Sequence, residues 1–140
     1  MKKTVKLLRI ISTLDPKYGG PSRAIIDNSL YLKSKGIEVD IVTNDPNDSK
    51  FYRDDKLRVI NTAKKYFSKS FNPFLFFWIV KNKYKYNKFV VHGIWELNTL
   101  IAKLLLNKNY FVFSHGQLDP YFKNEKFNIL KKKLYWFLIE

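Results

Sequence analysis

The two histidines are the residues whose type and spacing point most directly to chemistry. His92 and His115 each end an aromatic or β-branched run, and each is followed by glycine. A histidine at the end of a strand can donate a hydrogen bond to a sugar hydroxyl or a phosphate, or act as an acid or base. One histidine alone is more often structural, but two in equivalent positions favour a site. His115 is the candidate catalytic residue.

Metal and sulfur chemistry are not expected from this sequence. Two histidines without a defined carboxylate partner do not make a metal site. The chain also contains no cysteine. A disulfide, a thiolate zinc site and a cysteine nucleophile are therefore excluded.

Aromatic and acidic residues follow each His-Gly pair. Trp95 and Glu96 come after the first pair, and Asp119 and Tyr121 come after the second. An aromatic ring can stack on the apolar face of a sugar, and a carboxylate can accept hydrogen bonds from its hydroxyl groups. Trp95 and Asp119 are therefore candidate binding residues. A core tryptophan and a helix-capping acid explain the same pattern equally well.

A further group of candidates lies in a glycine loop near the N-terminus. Gly19 and Gly20 follow the first apolar run and precede Pro21, which suits the first turn of a helix. Glycines here let a ligand approach the backbone, and the helix N-terminus offers free N–H groups to an anion. The dinucleotide fingerprint and the P-loop are both absent, so no cofactor is expected. Arg23 could reach an anion in the same crevice, and a tight turn with a solvated arginine is the alternative.

The elements that must position these residues alternate between strands and helices. Apolar runs predict strands, and apolar spacings of three to five residues predict helices. The predicted strands are 5–12, 38–43, 57–60, 89–92 and 110–114, a polar loop covers 44–55, and the predicted helices are 21–35, 74–86, 97–106 and 127–139. This alternation predicts an α/β fold, a Rossmann-like parallel sheet with helices on both faces. Ligands bind such a sheet at the carboxyl ends of its strands, where the glycine loop and both histidines fall.

The chain is strongly basic, yet the type of cation argues against nucleic-acid recognition. The formal net charge is +14, and 22 of the 26 cations are lysines. Base and phosphate recognition favours the planar guanidinium group of arginine. Residues 61–140 hold 14 cations and 4 acids, against 12 and 8 in residues 1–60. The basic surface therefore belongs mainly to the second half, and no specific nucleic acid is expected as a partner.

An aromatic and basic segment offers a surface of a different kind. Residues 74–80 are all apolar, and four lysines follow by position 88. Aromatic anchors beside lysines suit an anionic membrane surface, and a buried crossover helix is an equally good interpretation. The segment is far shorter than the roughly 20 residues that a membrane-spanning helix needs. The N-terminus lacks the pattern of a signal peptide, so a cytoplasmic location is expected, with peripheral binding to the inner face of the cell membrane left open.

Four segments together resemble a known family. They are Ile10 to Arg23 (Ile-Ile-Ser-Thr-Leu-Asp-Pro-Lys-Tyr-Gly-Gly-Pro-Ser-Arg), Gly36 to Thr43, His92-Gly93-Ile94-Trp95, and Ser114 to Pro120 (Ser-His-Gly-Gln-Leu-Asp-Pro). In order and type they are similar to the N-terminal domain of family 4 retaining glycosyltransferases of the GT-B type, which build bacterial surface polysaccharides. The resemblance runs from Leu7 to the last residue and is weaker between about 50 and 88.

The resemblance implies two Rossmann-like domains with the active site in the cleft between them. The N-terminal domain of this family mainly binds the acceptor, and its C-terminal domain binds the nucleotide-sugar. By motif, Gly19 and Gly20 would form the loop that faces the donor phosphates and the acceptor. His115 would contact the donor sugar near the reacting centre. The acceptor side would be lined by His92, Trp95 and Asp119, with Arg23 as a further candidate.

The donor-binding motifs of the family are absent from residues 1–140. The chain is therefore expected to be one incomplete half of a GT-B enzyme that is inactive by itself. Its expected partners are a nucleotide-sugar, held by a C-terminal domain supplied elsewhere, and a lipid-linked or glycan acceptor. The alternative is a non-catalytic basic module that docks on a partner glycosyltransferase or on an anionic membrane.

Overall fold

A five-stranded parallel sheet forms the centre of the molecule. The computed structural model describes residues 5–52, 54–64, 72–107, 109–118, 133–134 and 136–137. The strands are β1 (Lys6–Ile11), β2 (Glu38–Pro46), β3 (Arg58–Ala63), β4 (Lys88–His92) and β5 (Tyr110–Phe113). They lie in the order β3-β2-β1-β4-β5, and every neighbouring pair is parallel. The predicted α/β, Rossmann-like fold is thereby confirmed.

Three helices flank the sheet. They are α1 (Gly20–Ser34), α2 (Pro73–Asn82) and α3 (Leu97–Leu105), with short 3₁₀ turns at Pro16–Tyr18 and Lys83–Lys85. The second helix begins where Asn72 accepts a hydrogen bond from the backbone N–H of Phe74 at 3.0 Å, which satisfies one of the free donors of the first turn. It ends before the predicted residue 86 because the chain tightens into the 3₁₀ turn. Within the described residues, no helix is long and apolar enough to cross a membrane.

The alternation of side chains along β1 divides the core between the two faces of the sheet. Leu8 and Ile10 are fully buried on the face that α2 and α3 cover. Ile11 packs on the opposite face with Ile25 of α1. Successive residues of a strand point to opposite faces, so Arg9 falls on the α1 side, where it hydrogen-bonds Asn28 of α1. Helices therefore lie on both faces, as the sequence predicts.

The prediction of a polar loop over 44–55 is wrong for its first three residues. The second strand continues through Asn44 and Asp45 to Pro46, and both polar side chains are buried. The carboxylate of Asp45 accepts hydrogen bonds from Thr13 Oγ1 at 2.6 Å and from the backbone N–H of Leu14 at 2.8 Å. Long-range partners of this kind let polar residues occupy a buried strand.

The fifth strand lies at one edge of the sheet and leaves much of its side-chain surface in solvent. Phe111 is 60% exposed and Phe113 is 55% exposed. The predicted helix at 127–139 lies outside the described residues, apart from helical backbone at 133–134 and 136–137. In the described part of the chain, β5 is thus the strand with the least buried side chains.

Candidate functional site

A cavity of about 240 Å³ lies where the strand order of the sheet reverses. Strand β1 has β2 on one side and β4 on the other, so the chain passes from β3 at one edge to β4 beyond β1, and the strand order reverses between β1 and β4. Ser12 directly follows β1 and Gly93 directly follows β4, and both line the cavity. The cavity therefore occupies the place where open α/β sheets bind their ligands.

The two histidines meet at this cavity. His92 Nδ1 lies 2.8 Å from His115 Nε2, and the rings stack with centroids 5.1 Å apart. The backbone N–H of Gly93 donates to the carbonyl of Phe113 at 2.8 Å, which holds the ends of β4 and β5 together. His92 is buried at the strand end, whereas His115 is exposed in the following turn. The structure thus brings both predicted histidines into one pair.

A buried arginine fixes which nitrogen of each ring carries the proton. Arg9 Nη1 lies 3.5 Å from His92 Nε2. A guanidinium group can only donate, so His92 Nε2 accepts and the proton of the neutral ring sits on Nδ1. That N–H donates to His115 Nε2, and the proton of His115 therefore sits on its Nδ1. The Nδ1–H of His115, the exposed member of the pair, is therefore a donor that neither histidine uses.

The surroundings keep both histidines neutral. Burial, and to a smaller extent the charges of Arg9 and His115, lowers the pKa of His92 to about 3. Burial and the charge of Arg9 also lower the pKa of His115. A neutral pair can exchange hydrogen bonds with uncharged hydroxyl groups across the physiological pH range.

Glu96 lines the same cavity as the two histidines. Its Oε2 accepts a hydrogen bond from Ser12 Oγ. Burial raises the pKa of Glu96, and the hydrogen bond from Ser12 opposes that rise. A Cβ added at Gly93 would come within 2.9 Å of Glu96 Oε1, and Gly93 also has a φ of +95°. Position 93 therefore has to be glycine for Glu96 to lie where it does.

Three polar residues that are not among the predicted site residues also line the cavity: Ser12, Gln117, and Glu96, which the sequence places after the first His-Gly pair. Gln117 Oε1 accepts a hydrogen bond from the backbone N–H of Ile94 at 2.7 Å. The available signals were positional. Ser12 directly follows an apolar strand, Glu96 lies four residues after His92, and Gln117 lies two residues after His115.

The glycine loop separates the histidine cavity from a second one. Gly19, Gly20 and Arg23 line a cavity of about 610 Å³ on the α1 side, and they do not line the histidine cavity. Arg23 is exposed and pairs with Asp27 on the next turn of α1 at 3.1 Å. Gly19 has a φ of +86°, which favours glycine at the start of the helix. The structure therefore does not bring these three predicted residues together with the histidines.

Two predicted residues, Trp95 and Asp119, remain to be placed. Trp95 is half-buried beside the cavity without lining it, and its φ is +58°. His115 also has a positive φ, of +50°. Non-glycine residues in this conformation are uncommon and cluster at functional sites. Asp119 lies outside the described residues.

The comparisons with known proteins add no relative. No protein-family model matches the chain, and no curated protein matches it.

Among the residues that the structure describes, no group of three or more His, Cys, Asp or Glu side chains could hold a metal ion. The chain is thus an α/β protein with a cavity, lined by both histidines, at the point where the strand order reverses.

Proposed function

We propose that the chain is the acceptor-binding half of a retaining GT-B glycosyltransferase. It would act in moving a sugar from a nucleotide-sugar to a lipid-linked or polysaccharide acceptor during cell-surface polysaccharide synthesis. One observation carries the proposal. A neutral histidine pair and a half-buried glutamate line the same cavity at the strand-order reversal.

The chemistry of this cavity suits a sugar. Sugars are recognised through hydroxyl groups that both donate and accept hydrogen bonds, and the cavity offers an N–H donor at His115 and a carboxylate acceptor at Glu96. Its volume of about 240 Å³ is below the roughly 300–1,000 Å³ of sites that enclose larger ligands. One sugar ring fits this space better than a whole nucleotide-sugar. The nucleotide would then be held by a second domain.

Three of the four segments that resemble the family also contribute residues to this cavity. Ser12 and Ser22 come from the first segment, His92 and Gly93 from the third, and His115 from the fourth. Residues far apart in the sequence thus line one cavity, in the order that the resemblance implies. This convergence supports the proposal independently of the chemistry of the histidines.

The test is transfer of radiolabelled sugar from UDP-linked and GDP-linked donors to a polyisoprenoid-linked acceptor fraction. The chain is assayed alone and together with the C-terminal domain of a family 4 glycosyltransferase. Transfer should require both parts, and His115→Ala should lower it about 100-fold, which is typical of losing a group at the reacting centre. Lys103→Ala, an exposed change on α3, is the matched control.

Two results would contradict the proposal. Efficient transfer by the chain alone would show that it is not a dependent acceptor-binding half. Equal transfer by wild type and His115→Ala would show that the histidine pair takes no part in the reaction.

An exposed aromatic and basic surface favours a second candidate, a module that binds an anionic membrane. Phe77 is 66% exposed on α2, and Tyr84 is 85% exposed in the turn that follows. Lys81 and Lys85 are exposed beside them. Phe76 and Trp78 pack against the core, so they are not part of this surface. Exposed aromatic rings next to lysines match the pattern of interfacial anchoring.

The membrane candidate is tested by co-sedimentation with vesicles. Binding to phosphatidylglycerol vesicles that persists in high salt, and that is lost in Phe77→Ser with Tyr84→Ser, would favour it. Tyr31→Ser on α1, which also removes an exposed aromatic ring, is the matched control. Binding that disappears in salt and is insensitive to the two aromatic changes would reflect net charge alone.

A further inference from the structure

A row of hydrogen-bonded side chains runs beneath the carboxyl end of the sheet to the cavity. It joins residues that are far apart in the sequence and are contributed by α2, β2, α3 and the loops after β1 and β4. The row consists of Asn72, Asn44, Asn98, Ser12 and Glu96. The three asparagines are only 1–2% exposed. Side chains so deeply buried keep their hydrogen-bond partners.

The backbone of α2 sets the direction of this row. The N–H of Phe74 can only donate, so the atom of Asn72 that it contacts at 3.0 Å must be the carbonyl oxygen. The amide nitrogen of Asn72 then donates to Thr62 Oγ1 at 2.7 Å and to Asn44 Oδ1 at 3.2 Å. The hydroxyl of Thr62 donates onward to the carbonyl of Thr43 at 2.6 Å, which leaves it free to accept.

The direction of each later hydrogen bond in the row follows from the one before it. Because its oxygen accepts from Asn72, Asn44 donates through Nδ2 to Asn98 Oδ1 at 3.1 Å. Asn98 in turn donates to Ser12 Oγ at 2.9 Å. The hydroxyl proton of Ser12 is therefore directed to Glu96. Hydrogen bonds aligned in one direction polarise one another, which strengthens the last donor of the row.

The row ends on an oxygen that must accept. Glu96 Oε2 accepts the hydrogen bond from Ser12, and its second oxygen, Oε1, has no hydrogen bond to the residues that the structure describes. Gln117, which lines the same cavity, uses its oxygen to accept from the backbone N–H of Ile94, so its Nε2 is a donor. An acceptor and a donor on one cavity suit a hydroxyl group, which is both. A phosphate or carboxylate would be repelled by Glu96.

We propose that Glu96 is the hydroxyl-binding residue of an acceptor-sugar subsite, in which its carboxylate accepts a hydrogen bond from a hydroxyl group of an uncharged sugar ring. The identity of the ligand as the acceptor sugar rests on the proposed function. The hydrogen bond that Glu96 accepts from Ser12 rests on the row of hydrogen-bonded side chains alone.

The first test measures binding of methyl glycosides of glucose, galactose, mannose and N-acetylglucosamine to the chain by NMR titration. Glu96→Gln keeps an oxygen that can accept from Ser12 but replaces the carboxylate by an amide. Its affinity for the best-binding glycoside should fall about tenfold to a hundredfold, as expected for losing a hydrogen bond to a charged group. The matched control is Glu38→Gln, an exposed change at the opposite end of the sheet, which should bind like wild type.

The second test identifies the hydroxyl group. The best-binding glycoside is compared with its monodeoxy derivatives in wild type and in Glu96→Gln, with near-UV circular dichroism to establish that both are folded. Removal of one particular hydroxyl should weaken binding to wild type about tenfold and leave the affinity of Glu96→Gln unchanged, which is the signature of a pairwise contact. Equal affinity of both proteins for the glycosides, or no binding of any glycoside to wild type at millimolar concentration, would overturn the subsite.

Failure of this subsite and failure of the proposed function give different results. Glycoside binding that depends on Glu96 without any sugar transfer in the reconstituted assay would support the subsite and contradict the transferase. Transfer that is unchanged in Glu96→Gln would support the transferase and contradict the subsite.

Discussion

The two ends of the sheet treat buried charge in opposite ways. At the amino end, the buried carboxylate of Asp40 lies 3.7 Å from Arg58 and 3.9 Å from Lys6. Toward the carboxyl end, the side chain of buried Arg9, which comes from the middle of β1, has hydrogen bonds only to Asn28 and His92 among the residues described. Half-buried Glu96 has one only to Ser12 among the same residues. Charges are paired at one end and left without an opposite charge at the other.

This difference agrees with the proposal that the amino end serves the fold and the carboxyl end serves a ligand. At the amino end, Tyr86 also donates to Asp40 at 2.7 Å, and burial together with that hydrogen bond raises the pKa of Tyr86. Every polar partner there is supplied by the protein. A buried charge without an opposite charge lowers stability, and proteins retain such groups where function needs them. The unpaired charges therefore support the proposal that the carboxyl end binds a ligand.

The largest expected effect that tests this comparison is the response of stability to acid. The pKa of His92 is lowered from 6.5 to about 3 in the folded state, so between these values the unfolded chain binds more protons. Stability should therefore fall as the pH drops below about 6.5, by about 1.4 kcal/mol for each pH unit. His92→Gln should remove this slope. Urea unfolding of both proteins between pH 7.5 and 5 measures it, and equal slopes would contradict the assignment to His92.

The next largest effect is expected from Gly93→Ala. Alanine at this position has to adopt a φ of +95° and brings its Cβ within 2.9 Å of Glu96 Oε1. The change should cost about 2 kcal/mol of stability and displace Glu96. Thermal unfolding measures the first effect. Gly36→Ala is the control, since it has a similar φ of +81° with open space around its Cβ. An equal loss of stability in both variants would show that the contact with Glu96 adds nothing to the cost of alanine at position 93.

A smaller effect of opposite sign is expected from Glu96→Gln. Because burial raises the pKa of Glu96, the folded state binds its proton more tightly than the unfolded state. Stability is therefore lost as the pH rises through the folded pKa, and the glutamine variant should be more stable than wild type at pH 7 by about 0.5–2 kcal/mol. Urea unfolding at pH 7 checks this gain. A loss of stability would show that Glu96 serves the fold.

The smallest effect is expected at the amino end, from Arg58→Gln. Arg58 is largely exposed, and its distance of 3.7 Å to Asp40 is that of a surface ion pair. Its replacement should cost about 0.5 kcal/mol or less, and less still in high salt. Chemical unfolding at low and high salt measures this. A loss above about 2 kcal/mol would mean that the pairing at the amino end is far stronger than the comparison assumes.

The sequence predicted the positions of the strands because apolar runs and turn residues are local signals. All five predicted strands are present, and both histidines lie at carboxyl ends of strands as predicted. Their direct contact follows from the pairing of β4 with β5, which the sequence does not give. The polar groups around them could not be predicted in the same way. Asn44 reads as a loop residue until its contact with Asn98, 54 residues away, is known.

The same limit explains why Glu96 was not selected. Its partner Ser12 is 84 residues away, and nothing in the local pattern joins them. Arg9 is a comparable case, because a cation in an apolar strand looks like an interruption until the fold sets it against His92. Local patterns predict backbone elements, whereas the site depends on contacts that only the sheet order creates.

The histidine pair joins an interior strand to an edge strand, and this has a consequence for motion. His92 ends β4, which has neighbours on both sides, whereas His115 follows β5, whose side chains are largely exposed. Edge elements with few buried contacts open at a lower free energy than the core. Local opening of β5 would break the bond between Gly93 and Phe113 and part the two rings while the rest of the sheet stays folded. The contact between His92 and His115 can thus break and form again without global unfolding.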